Sequence, residues 1–197
     1  LLLNTVINKQ PASQITLGDP LTLPCGHTLA NRIAKPAMAE AMGGKQNRPG
    51  ERLNNLYGRW ASGAAGLLIT GNAMIDRRAL GEPGDVVIED DRDLAALTAW
   101  ATAAKGGGSS AIVQLKHPGR QTLSSIAGEV VAPSAIRPRV RGARFPTPRA
   151  LTGDEVRELI ERFATAAEIC VRAGFDGVQI HGAHGYLISA FLSPVTN

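Results

Sequence analysis

Three runs of near-continuous apolar residues limit what this chain can fold into. They are Leu67-Leu68-Ile69-Thr70, Ala111-Ile112-Val113-Gln114-Leu115 and Gly177-Val178-Gln179-Ile180-His181. Each is short enough for a strand and apolar on both faces, which is the pattern of a parallel sheet covered by helices. The intervening segments carry helical spacing. Residues 50–65 place Leu53, Leu56, Tyr57, Trp60 and Ala64 on one stripe, so Trp60 is expected in the core. Residues 93–105 are Ala-rich with Asp91 or Asp93 as the N-cap, and Thr152 opens a helix to Ala173 with Glu155 completing a capping box. Residues 33–39 read as an earlier buried strand, and a short helix is expected near Gly185. Before them, alternation in residues 14–17 and 21–23 around Gly18-Asp19-Pro20 predicts a hairpin over about 14–24.

The order is therefore a hairpin followed by β-α repeats, and two architectures compete. A doubly wound nucleotide-binding sheet carries a Gly-rich turn after its first strand, and no GxGxxG follows Ile33-Ala34-Lys35. Polar, reactive residues stand after the strands instead: Glu40, Asn72, the Gln114-Leu115-Lys116-His117 run, His181 and His184. That placement is the habit of a TIM (β/α)8 barrel, whose chemistry sits at the C-terminal ends of its strands. The α/β chain is expected to form one domain over residues 1–197 holding about four of the eight βα units.

Charge and cysteine usage narrow the function classes. The net charge is +4, but the basic residues concentrate between Arg120 and Arg149, with Glu129 the one acid among them. Aromatic residues are 4%, too few for base stacking along a basic stripe, so nucleic acid is not an expected partner. The Pro/Arg-rich segment 118–148 is expected to be a mobile loop that meets anionic ligands. Two cysteines, Cys25 and Cys170, form no CxxC pair, which fits a reducing, cytoplasmic setting. No apolar run approaches the ~20 residues that span a bilayer.

The most informative constellation is His181-Gly-Ala-His184-Gly-Tyr186 at a strand end. A turn there can bring all three side chains to one pocket, where imidazole N–H groups meet a developing anionic oxygen and a phenol delivers a proton. Metal ligation and a pair of loop histidines satisfied by backbone are the other readings; neither a third ligand nor HExxH is present. Lys35 and Lys116 are expected to point to solvent or to stabilise a negative group. Met38 and Met42 are expected to pack.

The run from Val178 to Pro194 closely resembles the old yellow enzyme family, the FMN-dependent NADH:flavin oxidoreductases and ene-reductases. Three further segments match in the family's order: Asn31-Arg-Ile-Ala-Lys-Pro-Ala-Met-Ala39, Gly63-Ala-Ala-Gly-Leu-Leu-Ile-Thr-Gly71 and Gln114-Leu-Lys-His-Pro-Gly-Arg120. The resemblance implies FMN across the barrel mouth, with backbone groups of Ala37, Met38 and Ala39 facing it. Gly71 would let the backbone approach the ring, Gln114 would bond the pyrimidine edge, and His181 would lie against cofactor and substrate. It further implies that His181 and His184 hold a carbonyl or nitro oxygen while Tyr186 donates the proton. Hydride would pass from NADH or NADPH through FMN to an activated alkene, a small electrophilic molecule; a homo-oligomer is allowed and no metal is implied. Where family members carry Thr or Cys to tune the flavin, this chain has Ala39. The family's later basic residue and Gly-rich phosphate site are not among these residues. A non-catalytic half-barrel and a metal-dependent TIM-barrel hydrolase are the alternatives.

Overall fold

The computed structural model describes residues 15–126, 128–142 and 144–197. Its centre is a parallel sheet in the order β3 (Ala34–Lys35), β4 (Leu67–Met74), β6 (Ser110–Lys116) and β9 (Gly177–Ile180). A fifth strand, β5 (Val86–Val87), pairs with the far end of β4, where Ala73 meets Val86. Because β3 pairs only with Leu67 and Leu68, β3 and β5 share one edge of β4. The expected first strand over 33–39 contracts to two residues for a local reason. Pro36 brings no N–H to the ladder, and the Lys35 ammonium bonds the Ile69 carbonyl at 2.8 Å.

Helices α1 (Glu51–Ala61), α2 (Leu94–Lys105) and α3 (Gly153–Arg172) cover one face. Along β6, Ala111, Val113 and Leu115 are fully buried in the core with Trp100, Ile169 and Cys170. The alternate residues Ile112 and Gln114 look the other way, into the barrel. This period of two sets the site. Tyr57, Trp100 and Phe175 continue the core as edge-to-face pairs about 5 Å apart. Burial pushes the Cys170 thiol up to about 12, which leaves it an apolar packing group. Trp60 is only half-buried and lies beneath the Lys35 ammonium, 4.4 Å from its ring.

The capping box of α3 is present: Glu155 N–H donates to Thr152 Oγ1, and Thr152 N–H to the Glu155 carboxylate at 2.7 Å. At α2, the expected cap shifts. Asp90 caps a 3-10 turn at Asp91–Asp93, and Asp93 then precedes the helix without a side-chain bond. The hairpin is also corrected. β1 (Leu21–Thr22) pairs antiparallel with β2 (Thr28–Leu29), not with residues 14–17, of which Gln14 lies outside the described residues. Asp19 accepts the Thr16 N–H at 2.6 Å and closes the Gly18-Asp19-Pro20 turn on itself, leaving Ile15 and Leu17 exposed. His27 then ties the hairpin to Ser110 at the N-terminal end of β6, 2.7 Å away.

The 118–148 segment is largely anchored. Thr122, Val130, Ala132 and Phe145 are buried, and β7 (Val131–Ala132) pairs with β8 (Arg149–Ala150). Arg149, at the end of the basic region, is held by Glu129 at 2.6 Å and Glu155 at 2.7 Å.

Candidate active site at the strand ends

In-register pairing places Asn72, Gln114 and Gln179 side by side on adjacent strands. Gln114 Nε2 donates to Gln179 Oε1 at 2.7 Å, so the two amides form one platform inside the barrel. Gln179 was not singled out in the sequence. The signal was there, since it stands two residues before His181 on the same strand face.

The loop after Lys35 forms the next wall. Among the described residues, the amides of Ala37, Met38 and Ala39 have no hydrogen-bond acceptor. Gly71 lies behind that loop. A Cβ there would collide with the Met38 carbonyl and the Glu40 carboxylate. Gly71 therefore admits the chain's own loop. Gly71 N–H donates to Glu40 Oε1 at 3.0 Å and to Tyr57 Oη at 3.1 Å, while Tyr57 O–H donates to Glu40. Burial first, and then the Glu40 charge, push the Tyr57 phenol well above its ordinary range, so it remains a donor. Lys35 completes the group 3.9 Å from Glu40; burial holds its ammonium below the usual lysine value, opposed by that carboxylate. Lys35 thus stabilises a negative group.

The histidines and the tyrosine do converge. His181 N–H donates to the Leu115 carbonyl at 2.9 Å, which carries the β9 ladder one residue past the strand. The ring centroids of His181 and His184 are 5.1 Å apart, and those of His181 and Tyr186 4.9 Å, both edge-to-face. His184 adopts φ 60°, a left-handed conformation uncommon outside glycine. Gln121 holds that turn through the His184 carbonyl at 2.6 Å, and Ser189 Oγ accepts the Gly185 N–H. His181 Nδ1 accepts the Ala183 N–H at 3.3 Å, which assigns the ring proton to Nε2. Burial, then His184 and Lys116, hold the His181 pKa below the usual value. A neutral ring with an Nε2–H donor follows.

The Pro118-Gly119 turn fixes where Tyr186 begins. Gly119 has φ 58°, and a Cβ there would stand 3.0 Å from the Leu187 backbone. Leu187 N–H donates to the His117 carbonyl at 3.2 Å, locking α4 (Leu187–Leu192) against the end of β6. Of the two methionines expected to pack, Met42 lies against the core while Met38 is 48% exposed. Lys116, expected in solvent or against an anion, is buried, with Nζ 4.1 Å over the Tyr186 ring.

Beside the mouth lies a second polar cluster. Asp76 meets Arg78 at 2.7 Å and Arg162 at 3.6 Å, and Glu158 joins both arginines. Among the described residues, no group of three histidine, cysteine or carboxylate side chains could hold a metal. No helix among them is long and apolar enough to cross a membrane.

The sequence profile of the NADH:flavin oxidoreductase / NADH oxidase family matches residues 16–197. The chain belongs to this family. Its members are FMN- and NADH-dependent. Among curated proteins, the NADH-dependent flavin oxidoreductase iliE of Hypocrea jecorina is 39% identical over 196 residues, covering 90% of this chain and 49% of that protein. The NADH:fumarate oxidoreductase of Klebsiella pneumoniae is also 39% identical, with 91% of this chain and 19% of that one covered. Among solved structures, an old yellow enzyme homologue from Zymomonas mobilis superposes with TM-score 0.82 at 32% identity, over 92% of this chain and 52% of its own. Morphinone reductase gives 0.83 at 29% identity, over 95% and 53%. The chain thus spans about half the length of the first of these relatives and of both structures. Its sheet is a partial old yellow enzyme barrel.

Proposed function

We propose that this chain supplies the flavin-facing and substrate-gripping side of an FMN-dependent ene-reductase. The net reaction takes an activated alkene, NADH or NADPH and one proton to the saturated product and NAD(P)⁺. FMN, when bound, carries the hydride from the nicotinamide to the β-carbon of the alkene.

The chain's own residues fit that group. The free amides of Ala37, Met38 and Ala39 offer donors to a flat heteroaromatic ring. The Gln114 amide, pinned by Gln179, can both donate and accept at a pyrimidine edge. Glu40, Tyr57 and Gly71 hold the 36–41 loop at its station. His181 presents its Nε2–H, and His184 stands beside it, to bind the carbonyl or nitro oxygen that gains charge as hydride arrives. Tyr186 then protonates the α-carbon. It is half-buried, so solvent can return its proton.

The observation that carries this reading is the convergence of His181, His184 and Tyr186 at the end of β9. The change Tyr186→Phe in the complete flavoprotein tests it, because the ring stays and only the hydroxyl goes. Stopped-flow should show reduction by NAD(P)H at the parent rate and reoxidation by an enone slowed by roughly 10²–10⁴-fold, the range of a lost general acid. Reoxidation by a quinone should be little changed. Equal slowing of both half-reactions points to structural damage, and no slowing of either removes Tyr186 from the reaction.

A further inference from the structure

Lys116 is a charged group at the mouth whose chemistry the proposed reaction leaves unused. It is 3% exposed, at the C-terminal end of β6 and two residues beyond Gln114 on the same strand face. Its ammonium forms no ion pair among the described residues. The carboxylate across Gly81, that of Asp85, is otherwise engaged: Oδ2 accepts Gly81 and Glu82 N–H groups at 2.8 and 2.9 Å, and Oδ1 accepts from Asn72 at 3.2 Å. What Lys116 does face is the Tyr186 ring at 4.1 Å, with His181 alongside on β9.

With Asp85 near but outside ion-pair contact and an aromatic face as its closest partner, this ammonium gains from a full negative charge that joins it directly. A neutral carbonyl offers only a dipole, and the histidines already provide donors for that. A lone lysine is a compact point charge that pairs with one oxygen of an anion, and a carboxylate is the anion that a small conjugated alkene can carry beside its acyl group.

We propose that Lys116 is a specificity-determining residue that binds a carboxylate on the substrate, so that the site takes oxo-alkenoic acids. In these the acyl oxygen goes to His181 and His184 and the acid group to Lys116. This inference rests on the proposed alkene-reducing site for its geometry, but it concerns binding and is separable from turnover.

The experiment uses the oxidised, complete flavoprotein without reductant, so that binding alone is read. Calorimetry should give 4-oxopent-2-enoate a dissociation constant at least about tenfold lower than its methyl ester, one decade being a modest return for a charge-assisted contact. Acetate, the free anion, should bind more weakly than the oxo-acid because it lacks the acyl oxygen. In Lys116→Met the acid-over-ester preference should vanish, and Lys116→Arg should restore most of it. Equal binding of acid and ester by the unmodified protein overturns the proposal without any variant, as does a preference that survives Lys116→Met. A protein that prefers the acid through Lys116 yet fails to reduce the alkene refutes the reaction alone. One that reduces the ester and shows no such preference refutes the carboxylate site alone.

Discussion

Two polar clusters lie within reach of the same strand ends, and they are organised on opposite principles. Around Asp76, charges are matched to charges: Asp76, Arg78, Arg162 and Glu158 form one set of ion pairs, and Arg149, Glu155 and Glu129 form another in the same cleft, all between 2.6 and 3.6 Å. At the mouth, His181, His184 and Tyr186 touch one another by ring edges, and Lys116 covers a ring. Donors there are aimed at space. The fold uses the first cluster on itself, and the second is what the proposed reaction would use on a ligand. A satisfied network stabilises the fold, and an unsatisfied one is where chemistry can occur.

The sharpest way to break this contrast is at the histidines. In the complete flavoprotein, His181→Ala or His184→Ala should weaken binding of a phenolate roughly 10–100-fold, the loss of one hydrogen bond to a charged group. The melting temperature should hardly move. Titration by the long-wavelength absorbance of the complex reads it, and parent-like affinity in both variants removes the pair from ligand binding.

A pH effect of comparable size belongs to the ion-paired cluster. Burial pushes His117 down to about 4, opposed by the charge of Asp76. The folded pKa is depressed, so its stabilisation is complete above the unfolded value near 6.5. It is lost as pH falls from there through 4, on the order of 3 kcal/mol in all. His117→Asn, which keeps an acceptor for Gly119 N–H, should flatten urea-unfolding stability across that window. Glu155, held down to about 2 chiefly by its hydrogen bond from Arg149, titrates below it. An identical slope in variant and parent would assign the effect elsewhere.

Asp76→Ala removes the buried partner of two arginines. Arg78 is well exposed and can rehydrate, so the expected loss is about 2 kcal/mol rather than that of a fully buried pair. Asp76 is ordinarily held ionised because the Arg78 hydrogen bonds and the Arg162 and Arg78 charges outweigh its burial. Phenolate affinity should be unaltered; a loss as large as that of His184→Ala would mean the two clusters act as one. Smallest is Thr152→Ala, which opens the α3 capping box and should cost about 1 kcal/mol of unfolding free energy with no effect on ligand.

How much of this was legible beforehand follows physical lines. β4, β6 and β9 were readable because both faces of each are apolar, and α3 because its cap needs only two residues three apart. The His181–Tyr186 turn was readable as a convergence. The hairpin was misplaced because alternation alone does not choose a partner; the closed turn at Asp19 and the pairing of Leu21 with Leu29 do. Two-residue strands such as β7 and β8 are shorter than any period. For Lys116 only the solvent alternative fails, since its spacing from Gln114 places it on the inner face of β6. The Asp76 network joins Arg78 to Glu158 across 80 residues of sequence, and no local pattern encodes that.

The ties at the Pro118-Gly119 turn have a consequence for how such a protein can diversify. Leu187 is fastened to His117, and the His184 carbonyl to Gln121, so the reactive loop is moored to the first residues of the long 118–148 segment. The segment rejoins the fold at Arg149 through Glu129 and Glu155. Between those moorings β7 packs against α4, the helix that begins after Tyr186, while residues 139–142 are exposed and lie outside that contact. Insertions, deletions or wholesale replacement there can reshape what enters the mouth while the reacting geometry is inherited intact, which makes that stretch the module to exchange when a new substrate range is sought.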